Sequence, residues 1–299
     1  TNINPLGGEW RTELTLGDKT RVTSELYQPI DYGSDWFVSA ILGFVREDRA
    51  LFEEGTLTST YSTETREYGF DAGYSLDTRG EFRLGFRQAD IKNNRLLGAD
   101  SLSTKVDDSR YFVRTGFDTL DSLGFPTEGV RVLGEYSIYD ANLGATRQYD
   151  GLTLDVLYPF YHRNERTLIG QGYFGYLFET AVTDVTPRFS LGGFTRLSGY
   201  SPNEISGRHA GLISFVGYQR LNERAVIPVD QPLFIGFSLE AGNVFQDRDE
   251  IRWGNTLSGG SVFVGADTAV GPGYLSFGRI EGGRQSVTLS VGRPFAERD

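Results

Sequence analysis

Every second residue from Trp36 to Phe44 is apolar: Trp36, Val38, Ala40, Leu42 and Phe44. A two-residue period places alternate side chains on opposite faces of an extended chain. The same pattern returns near 152, where Leu152, Leu154, Val156 and Tyr158 oppose Thr153 and Asp155. Near 233, Leu233, Ile235, Phe237 and Leu239 back onto Gly236, Ser238 and Glu240. At the end of the chain Val287, Leu289 and Val291 back onto Ser286, Thr288, Ser290 and Gly292. Read this way, the sequence predicts about fourteen strands. They fall near 9–17, 20–28, 36–47, 65–76, 81–92, 109–120, 130–141, 148–160, 167–179, 209–221, 233–245, 261–270, 274–281 and 286–295.

Alternation alone fits both a soluble sandwich and a transmembrane antiparallel β-barrel. The connections favour the barrel. Short turns (DYGSD at 31–35, LDTRG at 76–80, FPTEG at 125–129, HRNER at 162–166, VGPG at 270–273) mostly alternate with longer polar stretches at 48–64, 93–107, 180–208 and 246–260. Short periplasmic turns and long external loops give this rhythm. No window approaches the roughly 20 apolar residues of a membrane-spanning helix. The balance of 29 Lys+Arg against 40 Asp+Glu, a formal charge of -11, argues against a nucleic-acid partner, because phosphate binding needs a basic field. Cysteine is absent, so neither disulfides nor thiolate metal sites enter the argument. The chain also lacks methionine, and TNINPLGGEW has no leader-like character. We therefore expect one outer-membrane barrel domain over 1–299, in a chain that is a fragment or a processed product.

One stretch breaks the strand rhythm. Residues 187–222 carry a Gly-rich segment with Arg196, Gly199 and Tyr200 before strand pattern resumes near Ala210. Its aromatic, glycine and arginine content reads as a packed, working loop.

Several segments in this order resemble a known family: NPLGGEW at 4–10, FDTLDSLGFPTEG at 117–129, FSLGGFTRLSGY at 189–200, SLEAGNVF at 238–245, GADTAVGPGYLSFGR at 265–279 and VTLSVGRPF at 287–295. They are similar to the barrel of the bacterial surface-antigen, or outer-membrane assembly-factor, superfamily, whose members include BamA, TamA and the two-partner-secretion translocators. Within it the chain most resembles the patatin-like PlpD group. The resemblance implies a sixteen-stranded barrel, with two strands and a periplasmic domain preceding this chain, and an external loop that folds back into the lumen. That loop carries an arginine-glycine-aromatic motif in relatives. Gly199 and Tyr200 match its last two positions, while Ser198 stands where most relatives have arginine. Arg196, two residues earlier and on the same side of an extended segment, is expected to substitute for it. Its partner would be Glu240, at the position of the inward acidic residue. The resemblance also implies Phe125, Pro126 and Gly129 as a periplasmic turn motif. Phe295 reads either as a strand-end aromatic anchor or as part of a C-terminal strand signal read by the barrel-assembly machinery.

Implied partners are outer-membrane lipid, an upstream POTRA domain and passenger on the same polypeptide, and the assembly machinery; the resemblance also leaves room for a homodimer. No cofactor or metal is expected, and no catalysis. The two histidines, His162 and His209, fall in a periplasmic turn and an external loop return, and no G-x-S-x-G elbow occurs. Any lipase activity would belong to an upstream patatin-like domain. Asp118, Asp121 and Glu128 read as a hydrogen-bonded turn cluster. The expected function is polypeptide translocation or membrane insertion. A passive porin, anchor or adhesin is the competing reading.

Overall fold

The structure, a computed structural model, describes all residues except 1–2, 17–18, 34, 54–55, 98–103, 123, 147, 179–188, 222–230, 269–270 and 293–299. The strands are β1 (Glu9–Thr15), β2 (Lys19–Pro29), β3 (Trp36–Glu53), β4 (Thr56–Ser75), β5 (Gly80–Leu97), β6 (Thr104–Asp107), β7 (Arg110–Asp118), β8 (Arg131–Tyr139), β9 (Tyr149–Arg163), β10 (Arg166–Phe178), β11 (Phe189–Leu191), β12 (Ile205–Gly207), β13 (His209–Leu221), β14 (Leu233–Phe245), β15 (Leu257–Thr268), β16 (Gly271–Ile280) and β17 (Gln285–Val291). One fifteen-stranded sheet runs β1-β2-β3-β4-β5-β7-β8-β9-β10-β13-β14-β15-β16-β17, with β6 paired to β5. β11 and β12 form a separate two-stranded ribbon. All fourteen expected runs are strands of the main path. Phe295 lies outside the described residues.

Which face is buried decides between barrel and sandwich. On β14, Phe237 and Leu239 are 45% and 59% exposed, whereas Ser238 and Glu240 between and beside them are 2% and 3% exposed. The same inversion holds for Trp36, Val38 and Leu42 on β3, for Leu275 and Phe277 on β16, and for Val287, Leu289 and Val291 on β17. A soluble sandwich hides its apolar face. A barrel in lipid displays it. The fold is all-β and antiparallel, with the outward apolar face of a transmembrane barrel.

Two expected loops are strand instead. β3 and β4 pair from Trp36↔Tyr74 out to Glu53↔Thr56, and β6 folds back on β5 from Asp90↔Asp107 to Asn93↔Thr104. At 18 and 20 residues, β3 and β4 are about twice the roughly 9–11 residues that cross a bilayer. The Thr- and Ser-rich segment 56–65 carries no hydrophobic alternation and so reads as loop from sequence. At HRNER the turn is tight. Asn164 and Glu165 take φ of 50° and 61°, as a two-residue hairpin with matching twist requires.

The chain forms two compact units. The first comprises Thr1–Gly116, Glu135–Leu152 and Leu177–Asp184. Its buried face carries a network of charged and polar groups beside aromatic rings such as Phe37 and Phe112. The Asp71 carboxylate, with no side-chain exposure, accepts from Ser39 Oγ at 2.7 Å, Arg87 at 2.7 Å and Arg83 at 3.2 Å. Arg83 also reaches Glu25 and Glu81, and Arg87 lies over the Phe112 ring at 4.7 Å. Arg114 and Arg110 share Glu135. Each of these charges faces an opposite charge, the condition under which burial is tolerated.

The second unit comprises Phe117–Gly134, Thr153–Tyr176 and Val185–Asp299. It has two apolar clusters. One gathers Phe125, Leu157, Ile169, Phe194, Val216, Tyr218, Phe234, Phe263 and Tyr274. The other joins Leu191 and Leu197 of the loop to Ala210, Leu212 and Ile280 of the wall.

Candidate functional site: a loop seated on the inner wall

β11 and β12 pair through Phe189↔Gly207, Ser190↔Ser206 and Leu191↔Ile205, making the stem of the loop that sequence reading singled out. Between them the chain coils instead of running extended. Gly193 donates to the Tyr200 carbonyl at 3.0 Å, Gly192 to the Arg196 carbonyl at 2.8 Å, and Tyr200 to the Leu197 carbonyl at 2.9 Å. Thr195 and Leu197 hold φ of 60° and 69°, in the left-handed region that costs a non-glycine residue roughly 1–3 kcal/mol. Burial offsets that cost: Leu191 and Leu197 are fully buried, and Phe194 is 2% exposed. Gly192, at φ 126°, has the Ser201 carbonyl where a Cβ would stand, so only glycine fits.

These turns aim the motif residues. Ser198 donates to Glu240 twice, from its backbone N–H to Oε2 and from its hydroxyl to Oε1, each at 2.5 Å. The hydroxyl also accepts from the Thr195 N–H at 3.0 Å. Ser238 supplies a further hydroxyl to Glu240 and shares a 2.7 Å hydrogen bond with Ser261. A carboxylate that accepts from an N–H and two hydroxyls in a nearly dry site is well stabilised without an adjacent cation.

The expected Arg196–Glu240 pair does not form. Arg196 donates to the Ser190 carbonyl at 3.1 Å and lies 4.3 Å over the Tyr173 ring. The expectation assumed an extended segment, in which residues two apart point the same way. The left-handed Thr195 and Leu197 break that relation, sending Arg196 toward β10 and Ser198 toward β14. The serine at the arginine position therefore makes the contact itself.

Backbone closeness completes the seat. A Cβ on Gly199 would meet the Ile280 backbone nitrogen, and one on Gly278 would meet the Ser198 carbonyl. Tyr200 lies 5.1 Å from the Arg284 guanidinium, which also pairs with Glu204, and Glu204 accepts from the Ser201 N–H at 2.8 Å. Sequence reading missed Ser238, Arg284 and Glu204. Ser238 was visible as the small neighbour two residues before Glu240, but nothing local marked Arg284 in the EGGR turn.

FPTEG is not a tight hairpin turn. The segment between β7 and β8 folds inward, and Phe125 stacks on Phe234 with ring centroids 3.6 Å apart. Tyr218 donates to the Pro126 carbonyl at 2.5 Å. Asp121 accepts from the Thr127 N–H at 2.8 Å, the Thr127 hydroxyl at 2.5 Å and the Glu128 N–H at 3.2 Å. Burial pushes the Asp121 carboxyl up, but these three donors outweigh it and hold the group below its usual range. Gly129, at φ 95°, has the Thr119 carbonyl where a side chain would begin. Asp118 accepts from the Leu120 N–H at 2.9 Å, and Glu128 joins through its backbone carbonyl.

His162 bonds Thr167 at 2.9 Å, and His209 packs on Tyr176 at 4.4 Å. Thr167 and Tyr176 are about 30 Å apart along β10, so the histidines share no site. Among the described residues no group of three His, Asp or Glu side chains is placed to hold a metal ion.

Compared with known proteins, residues 2–271 match the Omp85 superfamily domain. A sequence search of curated proteins found no match. Among solved structures, BamA from Haemophilus ducreyi lacking POTRA domains 1–3 is similar with a TM-score of 0.72 at 12% identity, over 95% of this chain and 64% of that one. CdiB from Escherichia coli gives 0.58 at 13% identity, covering 92% and 51%, and CdiB from Acinetobacter baumannii gives 0.53 at 12%, covering 91% and 49%. At these identities the likeness is one of fold. The chain spans between 49% and 64% of the length of these structures.

Proposed function

The chain belongs to the Omp85 superfamily, and from that premise we propose that it is the barrel of an outer-membrane pore that translocates polypeptides or inserts them into the membrane. The observation that carries this is the seat of the loop. A passive pore has no use for a hairpin whose tip is buried, hydrogen-bonded to Glu240 through Ser198 and pressed on β16 without room for a Cβ. A channel that must stay shut until a polypeptide engages it does. In this reading Ser198, Gly199, Tyr200 and Glu240 hold the resting state. Phe125, Pro126 and Gly129 shape its periplasmic side, and Phe295 belongs to the strand signal recognised during assembly.

The finer reading is that of a patatin-like type V secretion protein: residues 1–299 are one barrel domain, preceded on the same polypeptide by further strands, a POTRA domain and a passenger. Any lipase activity resides in that passenger, and the barrel itself is no enzyme. Its partners are outer-membrane lipid, the assembly machinery, its own upstream domains and, in a homodimer, a second copy.

The test is surface delivery. In cells making the full-length protein, passenger exposure is scored by protease shaving of intact cells, for wild type and for Glu240→Ala. Loss of exposure with the barrel still inserted supports the reading. Unchanged exposure, with steady open conductance in both proteins, returns the chain to the porin or anchor class.

A further inference from the structure

The second unit holds two inward-folded segments, the loop between β10 and β13 and the turn between β7 and β8. Phe194 at the loop tip and Phe125 in the turn belong to one apolar cluster. Tyr274 of β16 touches both. Its ring lies 5.3 Å from Phe194 and 4.9 Å from Phe125, and its hydroxyl donates to the Gly124 carbonyl. Phe263 supports the loop side at 4.9 Å from Phe194, while Phe234 and Tyr218 support the turn side at 3.6 Å and 5.6 Å from Phe125. Space around the turn is filled as closely as around the loop. A Cβ on Gly265 would enter the Phe125 ring, and one on Gly124 would meet Pro272.

The loop contacts β16 at two levels. Near Gly278 and Ile280 it does so through Ser198 and Gly199, and about 13–20 Å further along the strand through Phe194 against Tyr274. Among the described residues, the turn contacts the same strand at the second level, through Gly124 and Phe125 against Pro272 and Tyr274. The loop therefore has an anchor of its own at Glu240 and a second contact that it shares with the turn.

We propose that the turn carrying Phe125 is a second plug and that Tyr274 latches it to the loop, so that the two segments are released together. Tyr274 is a positioning residue: removing either phenylalanine takes away one side of its packing, which weakens its hold on the other segment. Coupling of this kind is reciprocal, so loosening the loop loosens the turn by the same factor that loosening the turn loosens the loop. As a gating device the latch rests on the pore reading above. The coupling itself is a property of packing and is read without transport.

The experiment is amide hydrogen exchange on the full-length protein in lipid nanodiscs, following peptides that cover 119–130 and 189–207. The variants are Phe194→Leu, Phe125→Leu and Tyr274→Phe, each first checked for heat-modifiable migration so that only folded barrels are compared. Phe194→Leu lies in the loop, yet it is expected to raise exchange of the turn about threefold to tenfold, the range an aromatic contact supports. Phe125→Leu is expected to raise exchange of the loop by the same factor. Tyr274→Phe keeps the ring and loses the hydroxyl bond to Gly124, so it should loosen the turn first and the loop less. If each phenylalanine variant affects only its own segment, the latch is wrong and the two plugs are independent. Should coupling appear while passenger exposure proves indifferent to Glu240→Ala, the latch stands and the translocation reading falls.

Discussion

Replacing Ser198 by alanine removes one oxygen atom, and its effect can be worked from the contacts that atom makes. The hydroxyl donates to Glu240 Oε1 at 2.5 Å and accepts from the Thr195 N–H at 3.0 Å, with Ser198 and Glu240 only 2% and 3% exposed. A hydrogen bond to a charged group contributes about 1.5–3 kcal/mol, and a buried donor left unmade adds to the loss. Since 1.4 kcal/mol is tenfold in an equilibrium, Ser198→Ala should raise the undocked population of the loop roughly tenfold to a hundredfold. The main sheet is untouched. Hydrogen exchange of peptides spanning 189–207 reads this directly, with heat-modifiable migration reporting that the barrel remains folded. The decisive form is a pair of double-mutant cycles. Ser198→Ala and Glu240→Ala should be strongly non-additive, because each removes the same contact. Arg196→Ala and Glu240→Ala should add to within about 0.5 kcal/mol, because Arg196 contacts Tyr173 and Ser190 instead. Coupling of Arg196 to Glu240 with Ser198→Ala silent would refute the assignment and restore the arginine pair.

Gly278→Ala should reproduce the Ser198→Ala exchange pattern, because the new Cβ lands on the Ser198 carbonyl; Gly254→Ala, with nothing within 4 Å, is the silent control. Leu239→Arg, at a position 59% exposed on the apolar face of β14, should cost about 2–4 kcal/mol near the bilayer midplane, measured as a fall in folding into lipid vesicles; no change would contradict the orientation of the strand. The turn should respond to acid. A carboxyl held below its usual range in the folded state, as Asp121 is, contributes its full stabilisation above the unfolded value of about 3.9 and loses it as pH falls through the lower folded value. Exchange of 119–130, corrected for its intrinsic pH dependence, should therefore be flat from neutrality to about pH 4 and rise below it. Asp121→Asn should raise exchange throughout and abolish that pH dependence, and an unchanged profile in the variant would count against the role given to Asp121.

The strands that cross the membrane were legible because lipid on one side and polar contacts on the other force a strict two-residue period. Beyond the bilayer that force is gone. The Thr- and Ser-rich segment at 56–65 lacks the two-residue period and therefore reads as loop, although β3 and β4 pair along their length. The loop motif shows a different limit. Gly199 and Tyr200 stood out by residue type in a loop that breaks the strand rhythm, whereas Glu240 and the departure at Ser198 were visible only through the family resemblance. Which of Arg196 and Ser198 faces Glu240 depends on the left-handed turns at Thr195 and Leu197, and neither residue type announces such a conformation. Phe125 is the clearest case of information held at a distance. FPTEG has the composition of a surface turn, and its burial follows from Tyr218 and Tyr274, 92 and 150 residues away from the carbonyls they bond.

If the chain works as proposed, the loop closes the interior of the second unit until a polypeptide displaces it. Single-channel recording on the full-length protein in planar bilayers tests this most directly, comparing wild type with Ser198→Ala and with a variant in which residues 192–204 are replaced by a short flexible linker. A docked loop should give small, intermittent conductance in wild type, more frequent openings in Ser198→Ala, and a large, sustained conductance once the loop is gone. A wild-type channel already open and steady, and unaltered by either change, would contradict it.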